Sequence, residues 1–154
     1  MGRHVITQQY PNPAAGADVS IELSNSDRVR VIAFTARLVT SSAVASRLAG
    51  LRLEDLNGVI YFEQDLEATQ AASRTVRYSW ARGAGVSANT ALTGIVSLAG
   101  GLPWLELQPG DLLQTNTRNI DVADQWQEIA VRYAACDSWE DLQDLERIRQ
   151  ILGG

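Results

Sequence analysis

Apolar and polar residues alternate with a period of two along most of the chain. Val19, Ile21 and Leu23 alternate with Ser20, Glu22 and Ser24, a half-buried strand closed by Asn25-Ser26-Asp27. Arg28 to Thr40 is longer and changes phase: Val29 and Val31 point one way, Ile32, Phe34, Ala36 and Leu38 the other. Such a switch predicts a bulge, or a strand covered on both faces. Ala49, Leu51 and Leu53 form the next alternation. Asp55-Leu56-Asn57-Gly58 then supplies a hairpin turn, because Asn and Gly both tolerate positive φ, and Val59 to Phe62 is the partner strand. Glu63 to Ser73 reads as a loop with a helical turn. Further alternations follow in Val76, Tyr78 and Trp80, in Leu92, Gly94, Val96 and Leu98, and in Ile129, Val131 and Tyr133. Pro109-Gly110 fits the centre of a type II turn before Asp111, Leu112 and Leu113. About eight short strands at near-regular spacing predict an all-β fold, an antiparallel sandwich or barrel.

The two ends break this period. Residues 1–18 read as an extended arm, with Pro11 and Pro13 opposing regular structure. Val5, Ile6 and Tyr10 are more apolar than a solvated tail requires, so a neighbour is the expected source of order. At the other end the period becomes that of a helix over 137–152. Ser138 caps it; Trp139, Leu142, Leu145 and Ile148 form its stripe; Glu140, Asp141 and Asp144 precede Arg147 and Arg149, the order the helix dipole favours. This amphipathic helix either packs on its own sandwich or covers a neighbouring subunit. The expected organisation is arm 1–18, β-sandwich 19–135, helix 137–152.

Composition then removes much chemistry. All 13 basic residues are arginine, and the chain has one histidine (His4) and one cysteine (Cys136). Lysine chemistry, multi-histidine metal sites and internal disulfides are thereby excluded. A net charge of −5 opposes nucleic-acid binding, and no apolar run reaches the roughly 20 residues of a membrane helix. No metal or cofactor is expected. The acidic loop Asn119 to Asp124 offers too few oxygens for calcium, and local turns explain it. With its histidine at position 4 the chain has no base for a serine nucleophile, and Cys136 reads as a small apolar residue. Arg82 to Val86 is a glycine-rich hairpin tip, since no helix follows it. Trp80 shares its phase with Tyr78 and belongs to the core. Trp104 follows Gly-Gly-Leu-Pro and Trp126 falls on the polar phase of its strand, so both are expected to be exposed, for protein contact or for stacking on sugar. Candidate interface residues are Val5, Ile6, Tyr10, Trp104, Trp126, Trp139, Leu142 and Leu145.

The turn Leu107-Gln108-Pro109-Gly110-Asp111-Leu112-Leu113 resembles those of viral and related jelly rolls, and the run Leu112 to Trp126 resembles small structural proteins encoded among bacteriophage head and tail genes. The likeness implies a jelly-roll-like sandwich and a non-enzymatic virion protein. Its expected role is to cement or decorate the capsid, or to serve in the neck or tail. Implied partners are the major capsid or other virion proteins and further copies of the chain, as a dimer or trimer. A carbohydrate-binding module of a host-recognition fibre, binding glycan through Trp104 and Trp126, is the alternative function.

Overall fold

A computed structural model describes residues 5–23, 28–66, 68–83, 95–103, 106–136 and 149–153. Their strands are β1 (Val5–Tyr10), β2 (Ser20–Glu22), β3 (Arg28–Val39), β4 (Leu48–Glu54), β5 (Ile60–Asp65), β6 (Thr75–Arg82), β7 (Ile95–Leu102), β8 (Glu106–Leu107), β9 (Leu112–Arg118) and β10 (Gln125–Cys136). They form two sheets, as expected of a sandwich. One runs β1-β10-β3-β6-β7, with β8 pairing β3, and the other runs β2-β9-β4-β5. The pairings nest: β1 with β10, β2 with β9, β3 with β6 and β4 with β5. Between the sheets lie Phe34, Leu38, Leu51, Leu53, Leu113, Ile129 and Val131. Trp80 joins them as expected. Its ring stacks on Tyr78 at 5.8 Å, and Tyr78 in turn meets Trp126 at 5.5 Å.

One pair departs from the antiparallel expectation. β7 lies parallel to β6 over its whole length, from Ile95 beside Thr75 to Leu102 beside Arg82. A parallel neighbour needs a return connection of roughly a dozen residues, where a hairpin needs only a tight turn. β6 and β7 are therefore not the two arms of a hairpin, and Ala84 to Val86 of the expected tip lie outside the described residues.

The phase change in β3 is a bulge. Ala33 pairs with Arg132 and Val31 with Tyr133, so Ile32 is the extra residue. Val29 and Val31 are thereby buried on the same side as Phe34, Ala36 and Leu38. A second, unforeseen bulge lies on β10. Gln127 pairs with Arg37 but Ala130 with Thr35, and Glu128 takes a φ of 49°. The two bulges sit on opposite strands of one ladder, so the second cancels the register shift of the first. This corrects the reading of Trp126. Simple alternation back from Ile129 and Val131 puts Trp126 outside; the bulge turns it inward, where it is fully buried.

Within the arm expected over residues 1–18, Val5–Tyr10 is a strand of this chain's own sheet and takes its order from β10, not from a neighbour; residues 1–4 lie outside the described residues. Val5-Ile6-Thr7 favours extended backbone, and β10 continues past Ile129 far enough to pair with it. Glu63 to Ser73 also differs: β5 runs on to Asp65, and Leu66 and Ala68 are buried loop residues without a helical turn among the described residues. In the Asp55–Gly58 turn only Gly58 has positive φ, at 81°. The Asp55 carboxylate accepts bonds from the Asn57 and Val59 amides. The Pro109-Gly110 turn is as expected, with Gly110 at φ 91° and the Asp111 amide donating to the Gln108 carbonyl. Of the helix expected over 137–152, Arg149 to Ile151 are helical and residues 137–148 lie outside the described residues.

Candidate functional site

Leu48 pairs with Arg118 and Glu54 with Leu112, so the links flanking β4 lie at opposite ends of the sandwich. At one end the β3–β4 and β9–β10 loops meet around a buried ion pair. Arg47 and Asp124 both have 0% exposed side-chain surface. The Arg47 Nε and Nη2 donate to the two Asp124 oxygens at 2.8 and 3.0 Å. Nη1 donates to the carbonyls of Ala43 and Ala45 and Nη2 to the Ser41 hydroxyl, so all five guanidinium N–H groups have acceptors. Asp124 also accepts the amides of Ser41 and Asp121, each at 2.8 Å. Burial pushes the Asp124 carboxyl up, but the Arg47 bond and the Asp121 and Ser41 amides outweigh it and hold the group below its usual range. Asp121 is also held low, first by the Ser41 hydroxyl and then by the Ala123 amide. The acidic loop thus spends its carboxylates on local turns and on Arg47. The large apolar side chains this platform presents to solvent are Val44 and Val122, one at the tip of each loop, among exposed polar neighbours Ser42, Ser46 and Asn119.

At the opposite end the β4–β5 hairpin carries a run of exposed apolar residues. Leu56 is 75% exposed, and Val59, Ile60 and Tyr61 follow it. This run is held in place. The Tyr61 hydroxyl donates to Asp111 at 3.1 Å, and the Asp111 carboxylate also accepts the Gln108 amide at 2.8 Å. Burial first, and Asp111 second, push the Tyr61 phenol upward, so it stays a neutral donor. Leu56 lies over Gly110, where an added Cβ would come within 2.8 Å of its Cδ1. The two turns are therefore packed on one another. An exposed apolar run on a fixed support suits protein contact.

The residues read from the sequence as interface candidates part company here. Val5 and Ile6 are on the edge strand β1, 49% and 40% exposed. Tyr10, at the end of that strand, packs partly against the core, and burial with the nearby Tyr133 pushes its phenol up to about 12. Trp126 is buried and its indole donates to Thr117 at 3.2 Å, so it offers no face to sugar or partner. Trp104, Trp139, Leu142 and Leu145 lie outside the described residues. A cleft of about 520 Å³ opens on the outer face of the larger sheet beside the Glu128 bulge, lined by Gln9, Asn12, Thr35 and Arg77. Among the described residues no group of three or more His, Cys, Asp and Glu is placed to hold a metal.

Two features escaped sequence reading. Arg47 sits in a loop of small residues with nothing to separate it from twelve other arginines. The hairpin patch was legible as residues, since Leu56, Val59, Ile60 and Tyr61 are consecutive or nearly so, but its lack of cover follows from the place of Leu56 and Val59 in the turn and from β5, which carries Ile60 and Tyr61, being an edge strand. No family model matches the chain, and no curated protein matches it in sequence.

Proposed function

We propose that this chain is a non-enzymatic structural protein that joins neighbouring proteins in a larger assembly, with a phage particle as its setting and a jelly roll as its fold. The nested strand order supports the jelly roll. With β7 and β8 set aside, eight strands remain in two sheets, β1-β10-β3-β6 and β2-β9-β4-β5, and each early strand pairs a late one. The resemblance of the Leu107 to Leu113 turn and of the Leu112 to Trp126 run supplies the virion setting. The observation that carries the joining role is the fixed apolar hairpin Leu56, Val59, Ile60 and Tyr61, which a monomer working alone would have no reason to leave uncovered.

The experiment is co-sedimentation of the purified protein with phage particles produced without it. Wild type is expected to pellet with the particles, and the Leu56→Glu/Ile60→Glu double variant to lose at least tenfold in apparent affinity while melting within a few degrees of wild type. Wild type staying in the supernatant, or the double variant pelleting equally well, overturns the reading.

A further inference from the structure

Sheet edges are templates for further pairing, and proteins blunt them with charge, proline, bulges or brevity. The smaller sheet shows these devices at both edges. β2 has only three residues. β5 carries Glu63 and Asp65, and a register shift interrupts its pairing with β4. β1 shows none of them. Its six residues, Val5-Ile6-Thr7-Gln8-Gln9-Tyr10, include no charge and no proline, and its register against β10 runs without interruption from Val5·Ala134 to Tyr10·Ile129. Its residues are exposed on both faces as far as Gln9.

We propose that β1 pairs with β1 of a second copy of this chain, antiparallel about a two-fold axis perpendicular to the sheet. This deepens the assembly reading above and rests on it. Such an axis keeps each residue on its own face, so opposite residues must share parity. Ile6, Gln8 and Tyr10 lie beside Tyr133, Val131 and Ile129 on the core-side face; Val5, Thr7 and Gln9 take the other. With Gln8 on the axis, Ile6 of each copy stands opposite Tyr10 of the other, and Thr7 opposite Gln9. Two aliphatic–aromatic cross-strand pairs form and exposed Ile6 gains cover. A second copy is the occupant because the strand is self-complementary: with no charge between residues 5 and 10, the axis brings no like charges together.

Sedimentation velocity on the full chain over a concentration series tests this, with circular dichroism to confirm folding. Wild type is expected to dimerise. Gln8→Glu and Gln8→Lys each place like charges on the axis and weaken the dimer tenfold or more. Mixing the two restores it as a heterodimer. In a Cys136→Ser background, Gln8→Cys is expected to give a covalent dimer on oxidation, since directly opposite strand residues lie within disulfide reach. A wild type that is monomeric throughout overturns the pairing, as do charge variants that dimerise like wild type or a mixture that gains nothing. Monomeric wild type that still pellets with particles overturns the pairing alone; a dimer that never pellets overturns the assembly reading alone.

Discussion

Arg47 and Asp124 have left water entirely, which costs several kcal/mol per charge and is offset only because every donor and acceptor is matched. Removing one partner leaves the other stranded. Asp124→Ala is therefore expected to cost about 3–5 kcal/mol, lowering the thermal midpoint by about 10 °C in calorimetry. The Arg47→Met/Asp124→Leu pair is expected to recover only part of that loss, because it removes both charges together but leaves the Ser41 and Asp121 amides without their acceptor. The same site sets an acid limit. Asp124 and Asp121 titrate below their unfolded values, so the stability they contribute is full above the unfolded carboxylate value, about 4. It is lost as pH falls from there through the lower folded values. Midpoints measured from pH 7 to 2 are expected to fall below pH 4 in wild type, and less steeply in Arg47→Met/Asp124→Leu. The acid cluster was legible in the sequence as turn chemistry, but its partner was not. Arg47 lies 77 residues away, and only the closure of two loops at one end of the sandwich brings them together.

At the scale of elements, alternation read the strands well wherever two or more apolar residues fixed the phase. Val29 and Val31 against Phe34, Ala36 and Leu38 announced the β3 bulge. The bulge on β10 gave no such notice, because Trp126 is the lone apolar residue in Gln125-Trp126-Gln127-Glu128 and one point defines no phase. Its position makes an unusual prediction. Deleting Glu128 removes the extra residue and leaves the pairing regular from Gln125 to Arg132, with Trp126, Ile129 and Val131 still inward; the loss is confined to its exposed contacts with Arg37 and Arg77. That deletion is expected to shift the thermal midpoint by only a few degrees. Deleting Ala130 shortens the strand equally, but turns Ile129 outward and Glu128 into the core, and a buried unpaired carboxylate is expected to cost about 4 kcal/mol or more. Circular dichroism melts of the two deletions decide whether phase or mere length governs this strand.

At the scale of the molecule, nested pairing ties the first strand to the last, and alternation carries no record of which strands meet. Val5 to Tyr10 therefore read as part of an arm when they are a border of the larger sheet. The border has a structural task of its own, since it covers β10, whose twelve residues include Trp126, Ile129, Val131 and Tyr133. Truncation of residues 1–10 removes six ladder pairs and the bond from the Tyr133 hydroxyl to Gln8. At about 0.5 kcal/mol for each pair, the stability loss is on the order of 3 kcal/mol, or about 10 °C in thermal midpoint. The larger effect is on solubility. β10 then becomes an edge twice as long as β1, with apolar residues along one face and a bulge only near its start. Static light scattering at room temperature, well below the lowered midpoint, is expected to show truncated protein growing into open aggregates instead of closed dimers. A truncated chain that stays monomeric and melts with wild type would mean that β1 contributes nothing to the sheet it borders.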